Sequence, residues 1–187
     1  QTQISYHFSM GVSLTRISFV ARVGDKEIER DVFEKRTDVM FLVSSDTLAL
    51  KEIEIVGTIK GSAKGELHII DVAANKTLLE QTLDLKEPQS GISNSYSLNQ
   101  LVKIKPSTLF CLRLEVEGNP TYTYAEDQRQ FELKNGTLID VNRDPKKVNT
   151  MGGLKNPEKI PMLGYQNHDT NMITGIQFEN SPNKGCC

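Results

Sequence analysis

The run Phe110-Cys-Leu-Arg-Leu-Glu-Val-Glu117 alternates apolar and polar residues without a break, so Phe110, Leu112, Leu114 and Val116 fall on one side of an extended chain. On a helix the same four side chains would scatter around the circumference. A period of two therefore reads as a β-strand with one buried face. The same rhythm, less regular, returns in residues 27–33, 51–59, 66–70, 98–105 and 129–133, with turn-forming residues between them. Short strands separated by polar turns predict an all-β chain folded as an antiparallel β-sandwich.

A chain of 187 residues suits one domain with extra arms, and it can bury a core large enough to be stable by itself. Its 22 basic and 24 acidic residues nearly cancel, which removes the global field that would attract nucleic acid or an anionic membrane surface. Aromatic residues make up 6% of the chain and Trp is absent, a composition that fits short strands and polar loops better than a large aromatic-lined cavity. No apolar run approaches the roughly 20 residues of a membrane-spanning helix. The chain opens at Gln1 without an initiator Met or a charged-then-apolar leader, and so reads as a processed form or a fragment.

Cysteine usage bears on the compartment. Alternation puts Cys111 on the Arg113/Glu115/Glu117 side of its strand, and Cys186 and Cys187 are adjacent at the C-terminus, where neighbours bond each other poorly. Three cysteines without a framework spacing point to a reducing, cytoplasmic setting. Against this, Asn75-Lys-Thr77 and Asn135-Gly-Thr137 have the form of glycosylation acceptors, which keeps a secreted or cell-surface alternative open. The Cys186-Cys187 pair reads as a frayed end, the alternative being a lipid attachment site.

Along the chain, apolar positions fall at Val12 and Leu14, then at Ile17, Phe19, Ala21 and Val23, a parity switch that predicts a β-bulge near Thr15-Arg16. Gly24-Asp-Lys26 then turns the chain into residues 27–33, closing an N-terminal ribbon. Strands are expected at 37–43, 66–72, 77–85, 121–124 and 138–141 as well. Three glycines in the 57–65 loop mark bends, and the loop lacks the Gly-Lys-Ser/Thr ending of a phosphate-binding loop. Tyr122 and Tyr124 share one face of their expected strand and precede Glu126 and Asp127, an amphipathic surface suited to a protein partner or an ordinary half-buried sheet face. Residues 142–159 read as a long polar loop.

Catalytic and metal-binding patterns are absent from the sequence. His7, His68 and His168 lie in separate segments without a ligand at short spacing, and no Gly-x-Ser-x-Gly elbow stands between a strand and a helix. Glu126 and Asp127 are adjacent, so on a strand they point to opposite faces. The expectation is a chain that is not an enzyme, with no catalytic residues, no metal site and no cofactor.

The order of several segments is similar to that of a PHR domain. Thr37-Asp-Val-Met-Phe-Leu-Val43, Leu50-Lys-Glu-Ile-Glu-Ile-Val-Gly57, the 61–65 loop and Glu66-Leu-His-Ile-Ile-Asp71 resemble its opening half. Val102-Lys-Ile-Lys-Pro106, residues 110–118, Phe131 with Asn135-Gly-Thr137, Gly152-Gly153 and Ile160-Pro-Met-Leu-Gly-Tyr165 follow in the order of its closing half. The resemblance spans about residues 36–166 and implies a jelly-roll-like sandwich that serves as a non-catalytic interaction module. Such modules occur in ubiquitin-ligase scaffolds and in BTB-containing adaptors, some of them linked to the cytoskeleton. The family's Gly-rich turn is replaced by Ala125-Glu-Asp-Gln128, and the chain carries no BTB or RING cysteine pattern, so a ligase activity would have to reside elsewhere.

Residues 1–35 are thus expected to form an N-terminal arm, 36–166 the sandwich and 167–187 a C-terminal arm. Partner contacts are expected from the 57–65, 87–95 and 122–128 loops, because loops held by a rigid sheet are the usual place of recognition. The named candidates are Lys60, Lys64, Tyr122, Tyr124, Glu126 and Asp127. Ile173, Ile176 and Phe178 of the C-terminal arm would dock on a partner by adding a strand or filling a groove, or fold back onto their own module. The expected partner is a protein in a larger assembly, with no nucleic acid and no membrane span; the alternative sandwich would bind carbohydrate or act in adhesion.

Overall fold

The computed structural model describes residues 5–7, 13–20, 35–118, 121–124, 129–151 and 171–179. Among these residues eleven strands follow in chain order: β1 (Ser5–His7), β2 (Ser13–Ser18), β3 (Arg36–Ser44), β4 (Leu48–Val56), β5 (Ser62–Asp71), β6 (Lys76–Lys86), β7 (Ser93–Ile104), β8 (Phe110–Gly118), β9 (Gln130–Glu132), β10 (Leu138–Asn142) and β11 (Ile173–Glu179). The one helical element among the described residues is the 3-10 turn Pro145–Lys147, capped by Asp144, whose carboxylate accepts the Lys146 N–H at 3.0 Å. Two antiparallel sheets result, in the orders β1-β2-β11-β4-β7 and β6-β5-β8-β3-β10-β9. The all-β sandwich expected from alternation is the fold observed.

Strand β8 shows why alternation was so clear there. It lies between β5 and β3, and Phe110, Leu112, Leu114 and Val116 all enter the space between the sheets. There they meet Leu67 and Ile69 of β5, Met40 and Leu42 of β3, and Ile53, Ile55, Ile176 and Phe178 from the opposite layer. Each such side chain, taken fully out of water, contributes roughly 1.5–3 kcal/mol before chain entropy is counted. A second, smaller cluster lies on the outer face of the six-stranded sheet, where Val39, Phe41, Val43, Ile70 and Cys111 are packed with Val148. Cys111 is thus on the side that alternation assigned to it, yet fully buried.

The N-terminal strand departs from expectation. The β2–β11 register runs from Leu14 to Ser18 without a shift, so no bulge sits at Thr15-Arg16. Thr15, Ile17 and Phe19 are the buried positions, whereas Leu14 is only half-buried; Thr15 was the inward residue that its hydroxyl disguised. The turn at 24–26 and the second strand of the expected ribbon, residues 27–33, lie outside the described residues. Residues 121–124 form no strand: only Thr121 makes a single bridge, to Thr58, because the Tyr122 N–H donates to Gly57 and the Tyr124 N–H to Asn171, in two different elements.

A bulge that the sequence did not announce occurs in β7. Ser97 faces Glu52 and Val102 faces Leu50, so residues 98–101 stand opposite Lys51 alone. The displaced segment leans onto β6: the Asn99 N–H donates to Gln81 Oε1 at 2.9 Å, Gln100 Nε2 to the Leu78 carbonyl at 3.0 Å and Gln81 Nε2 to the Ser97 carbonyl at 3.0 Å. Strands β6 and β7 end their respective sheets, and these bonds stitch the two edges together, which occupies groups that would otherwise template another chain.

Candidate binding surface

Of the three loops proposed from sequence, the described segments 57–61, 87–92 and 122–124 meet at one end of the sandwich, residues 125–128 lying outside the described residues. Gly57 donates its N–H to the Ile92 carbonyl at 2.7 Å, Thr58 to Lys86 at 3.1 Å, and Tyr122 to Gly57 at 3.1 Å. Gly61, in the left-handed conformation at φ 72, donates its N–H to Glu87 Oε1 at 2.6 Å. Glycine is required at 57 for a different reason: a Cβ there would lie 2.5 Å from Pro88 Cδ and 2.7 Å from the Lys86 carbonyl oxygen. Gly65, expected at a bend, is instead an inward position of β5, where the absent side chain leaves room for Leu85 and Leu114.

Beneath the loops lies a polar network that the sequence reading did not single out. Asp38 of β3 is fully buried; one carboxylate oxygen accepts both the Met172 and Ile173 N–H groups at 2.7 Å, and the other accepts Arg143 Nη1 at 2.9 Å. Arg143 follows directly on β10, and its guanidinium also donates to Asn171 Oδ1 at 2.7 Å and to the Tyr124 hydroxyl at 2.6 Å. The Tyr124 hydroxyl in turn donates to the Ile173 carbonyl, and Asn171 Nδ2 donates to the Tyr124 carbonyl at 2.9 Å. One carboxylate thereby fixes the start of β11, the end of β10 and the 121–124 segment. Parity was the available signal, since Asp38 shares its strand face with Met40 and Leu42 and an acid on a core face needs internal partners.

The candidates separate by environment. Lys60 is exposed at the tip of the 57–61 bend, and Tyr122 is half-buried against the core. Tyr124 is buried in the network just described. Lys64 stands on the outer face of β5 paired with Asp84, whose carboxyl it holds below the usual range. Glu126 and Asp127 lie outside the described residues, as do His168, Cys186 and Cys187. Ile173, Ile176 and Phe178 are core residues, 0%, 0% and 1% exposed, because β11 is inserted between β2 and β4. The C-terminal segment adds a strand to its own sheet.

Other charged groups cluster on the outer face of the six-stranded sheet. Burial alone would raise the Glu115 carboxyl, but Lys35, with its Nζ at 2.5 Å, and the Arg113 guanidinium outweigh it and hold the carboxyl low. His68 is half-buried on that face, paired in register with Arg113 and Glu80. Among the described residues no three His, Cys, Asp or Glu side chains converge as metal ligands, and no helix is long and apolar enough to cross a membrane. Fold and surface together define a β-sandwich with a hydrogen-bonded loop platform at one end. No family model matches the chain, and comparison with curated proteins finds no matching sequence.

Proposed function

We propose that the chain is a non-catalytic protein-interaction module, an adaptor or structural component of a larger ubiquitin-ligase or cytoskeletal assembly in the cytoplasm, and that it binds its partner through the loop platform. The observation that carries this reading is the mutual bonding of the 57–61, 86–92 and 121–124 segments above the Asp38–Arg143 network. Loops fixed before binding lose little conformational freedom on association, which is how a small surface attains useful affinity. Support for the PHR-like reading comes from the strand order. Strands β2-β11-β4-β7 form one layer and β6-β5-β8-β3 the other, so the chain alternates between layers from β2 to β5, adds β6 beside β5, and crosses again to β7, to β8 and finally to β11, an order that suits a jelly roll.

The test is affinity capture from native lysate with the full chain, its Lys60→Glu and Tyr122→Ala variants, and an Asn75→Gln control in the turn at the opposite end. A partner retained by wild type and control but lost from both loop variants supports the platform. Equal recovery by all four chains, or no enriched protein, refutes it. A secreted sandwich is the second reading, supported by Asn75, which is exposed at φ 49 beside exposed Lys76 and Thr77. Glycan mass on Asn75 of the natural protein would select that reading over the cytoplasmic one.

A further inference from the structure

The hairpin of β9 and β10 carries a feature separate from the loop platform. Asp140 of β10 is 4% exposed, and its carboxylate is held only by neutral donors, Gln130 Nε2 at 3.3 Å and the Asn149 backbone. Among the described residues it makes no ion pair. Burial pushes its carboxyl above the ordinary aspartate value, offset in part by those two bonds and by the charge of Arg129. A buried carboxylate that makes no ion pair is a costly arrangement that the more distant Arg129 relieves only in part, and a partner's positive charge would relieve it further.

Asp140 also lines a groove of about 380 Å³, bounded by Gln130, Glu132, Leu138, Asn149 and Met151. That volume is at the small end of ligand sites and admits a few side chains. Leu138, at 47%, is one of two large hydrophobic residues left exposed among the described ones. Beside the groove runs β9, the last strand of its sheet. Val141 donates its N–H to Arg129 and Leu133 donates to Thr137, so the intervening pairs Gln130/Asp140 and Glu132/Leu138 are the non-bonded ones of the ladder. The backbone N–H and C=O groups of Gln130 and Glu132 consequently point away from β10, toward the side on which no further strand lies among the described residues.

We propose that this groove receives an extended segment of a partner protein, which adds to the edge of β9 and delivers a lysine or arginine side chain to Asp140 and Glu132. Strand spacing sets the side-chain length. An added strand would lie two spacings, about 10 Å, from β10, which only a long basic side chain spans to reach a carboxylate. An aliphatic side chain two residues away on the same face of the segment lies beside Glu132, the cross-strand neighbour of Leu138. Main-chain bonds then supply affinity and the basic residue supplies specificity. The inference is independent of the loop platform, since neither surface contributes residues to the other.

The test is an NMR titration of the full isotope-labelled chain with the capped peptide Thr-Leu-Thr-Arg-Thr-Leu-Thr and with its citrulline analogue, which keeps the shape of arginine without its charge. Saturable shifts confined to residues 130–132, 138–140, 149 and 151 are expected. Binding should weaken about tenfold with citrulline, with Asp140→Asn and with higher salt. Glu132→Gln, at an exposed position, repeats the test should Asp140→Asn disturb the fold; Lys60→Glu should leave binding unchanged. Equal affinity for both peptides, shifts elsewhere, or no shifts at millimolar peptide would overturn the proposal. Concentration-dependent shifts of the same residues without peptide would also overturn it, by assigning the groove to a second copy of the chain.

Discussion

Replacing Asp38 by alanine removes the acceptor of two buried backbone N–H groups and the charged partner of Arg143 in a single step. An unsatisfied buried donor costs about 1–3 kcal/mol. The side chain of Arg143 is 12% exposed and keeps its bonds to Tyr124 and Asn171, so its loss is smaller than that of an isolated buried cation. Together these terms give a destabilisation of about 3–5 kcal/mol, the range for breaking a buried pair by deleting one partner. Domains of this size are stable by about 5–15 kcal/mol, so the variant should fold but marginally.

With a urea slope of about 2 kcal/mol/M, the unfolding midpoint followed by far-ultraviolet circular dichroism should fall by about 1.5–2.5 M. Native-state hydrogen exchange adds location: the Met172 and Ile173 amides should lose protection beyond the global change, because β11 is released at its first residues. Asp38→Asn, which retains an acceptor oxygen, should cost about 1–3 kcal/mol. The double variant Asp38→Asn/Arg143→Met should be less destabilised than the sum of its parts, with a coupling of about 1 kcal/mol or more. A midpoint for Asp38→Ala within about 0.3 M of wild type, or unchanged exchange at Met172 and Ile173, would refute the assignment of Asp38 as the anchor of β11.

Gly57→Ala forces a Cβ to within 2.5 Å of Pro88 Cδ and should lower stability by about 1–3 kcal/mol, with amide shifts spreading to Lys86, Ile92 and Tyr122; a neutral outcome would show that the loops yield freely. Because the folded pKa of Asp140 is raised, the fold favours its protonated form: that stabilisation is complete below about pH 4 and is lost as pH rises through the folded value. Asp140→Asn should therefore be more stable than wild type at pH 7, with the difference closing by about pH 3 in parallel melts, and an advantage independent of pH would contradict the desolvation argument. Cys111 is fully buried, so its labelling by a thiol reagent should be limited by unfolding and should accelerate steeply in urea; prompt reaction in native buffer would disagree with its burial under Val148.

Alternation by itself was enough to define strands with one buried face. Phe110 to Glu117 could be read directly because each alternate side chain meets the same layer of core, and a pleated chain converts that into a period of two; Leu67 with Ile69 and Leu79, Leu83 and Leu85 show the same effect over shorter stretches. The same rule failed where a strand's inward residue was polar, as with Thr15, or where spacing broke, as at residues 98–101 of β7, because an extra loop of chain leaves no local mark when both of its ends resume alternation. Glycines were recognisable as special but not as to why, since Gly57, Gly61 and Gly65 answer respectively to a close approach, a positive φ and a tight core contact.

What the amino-acid order determined, then, was strands β3 to β10 to within a few residues, the apolar faces of most of them, and the turns between them. Only the tertiary structure decided that Ile173, Ile176 and Phe178 complete a sheet, that three loops far apart in sequence bond to one another, and that Asp38 meets Arg143 across 105 positions. The reason is physical. Strand formation is governed by neighbours two residues apart, whereas pairing between strands and satisfaction of a buried charge depend on which distant segments the closed sandwich brings within about 3 Å.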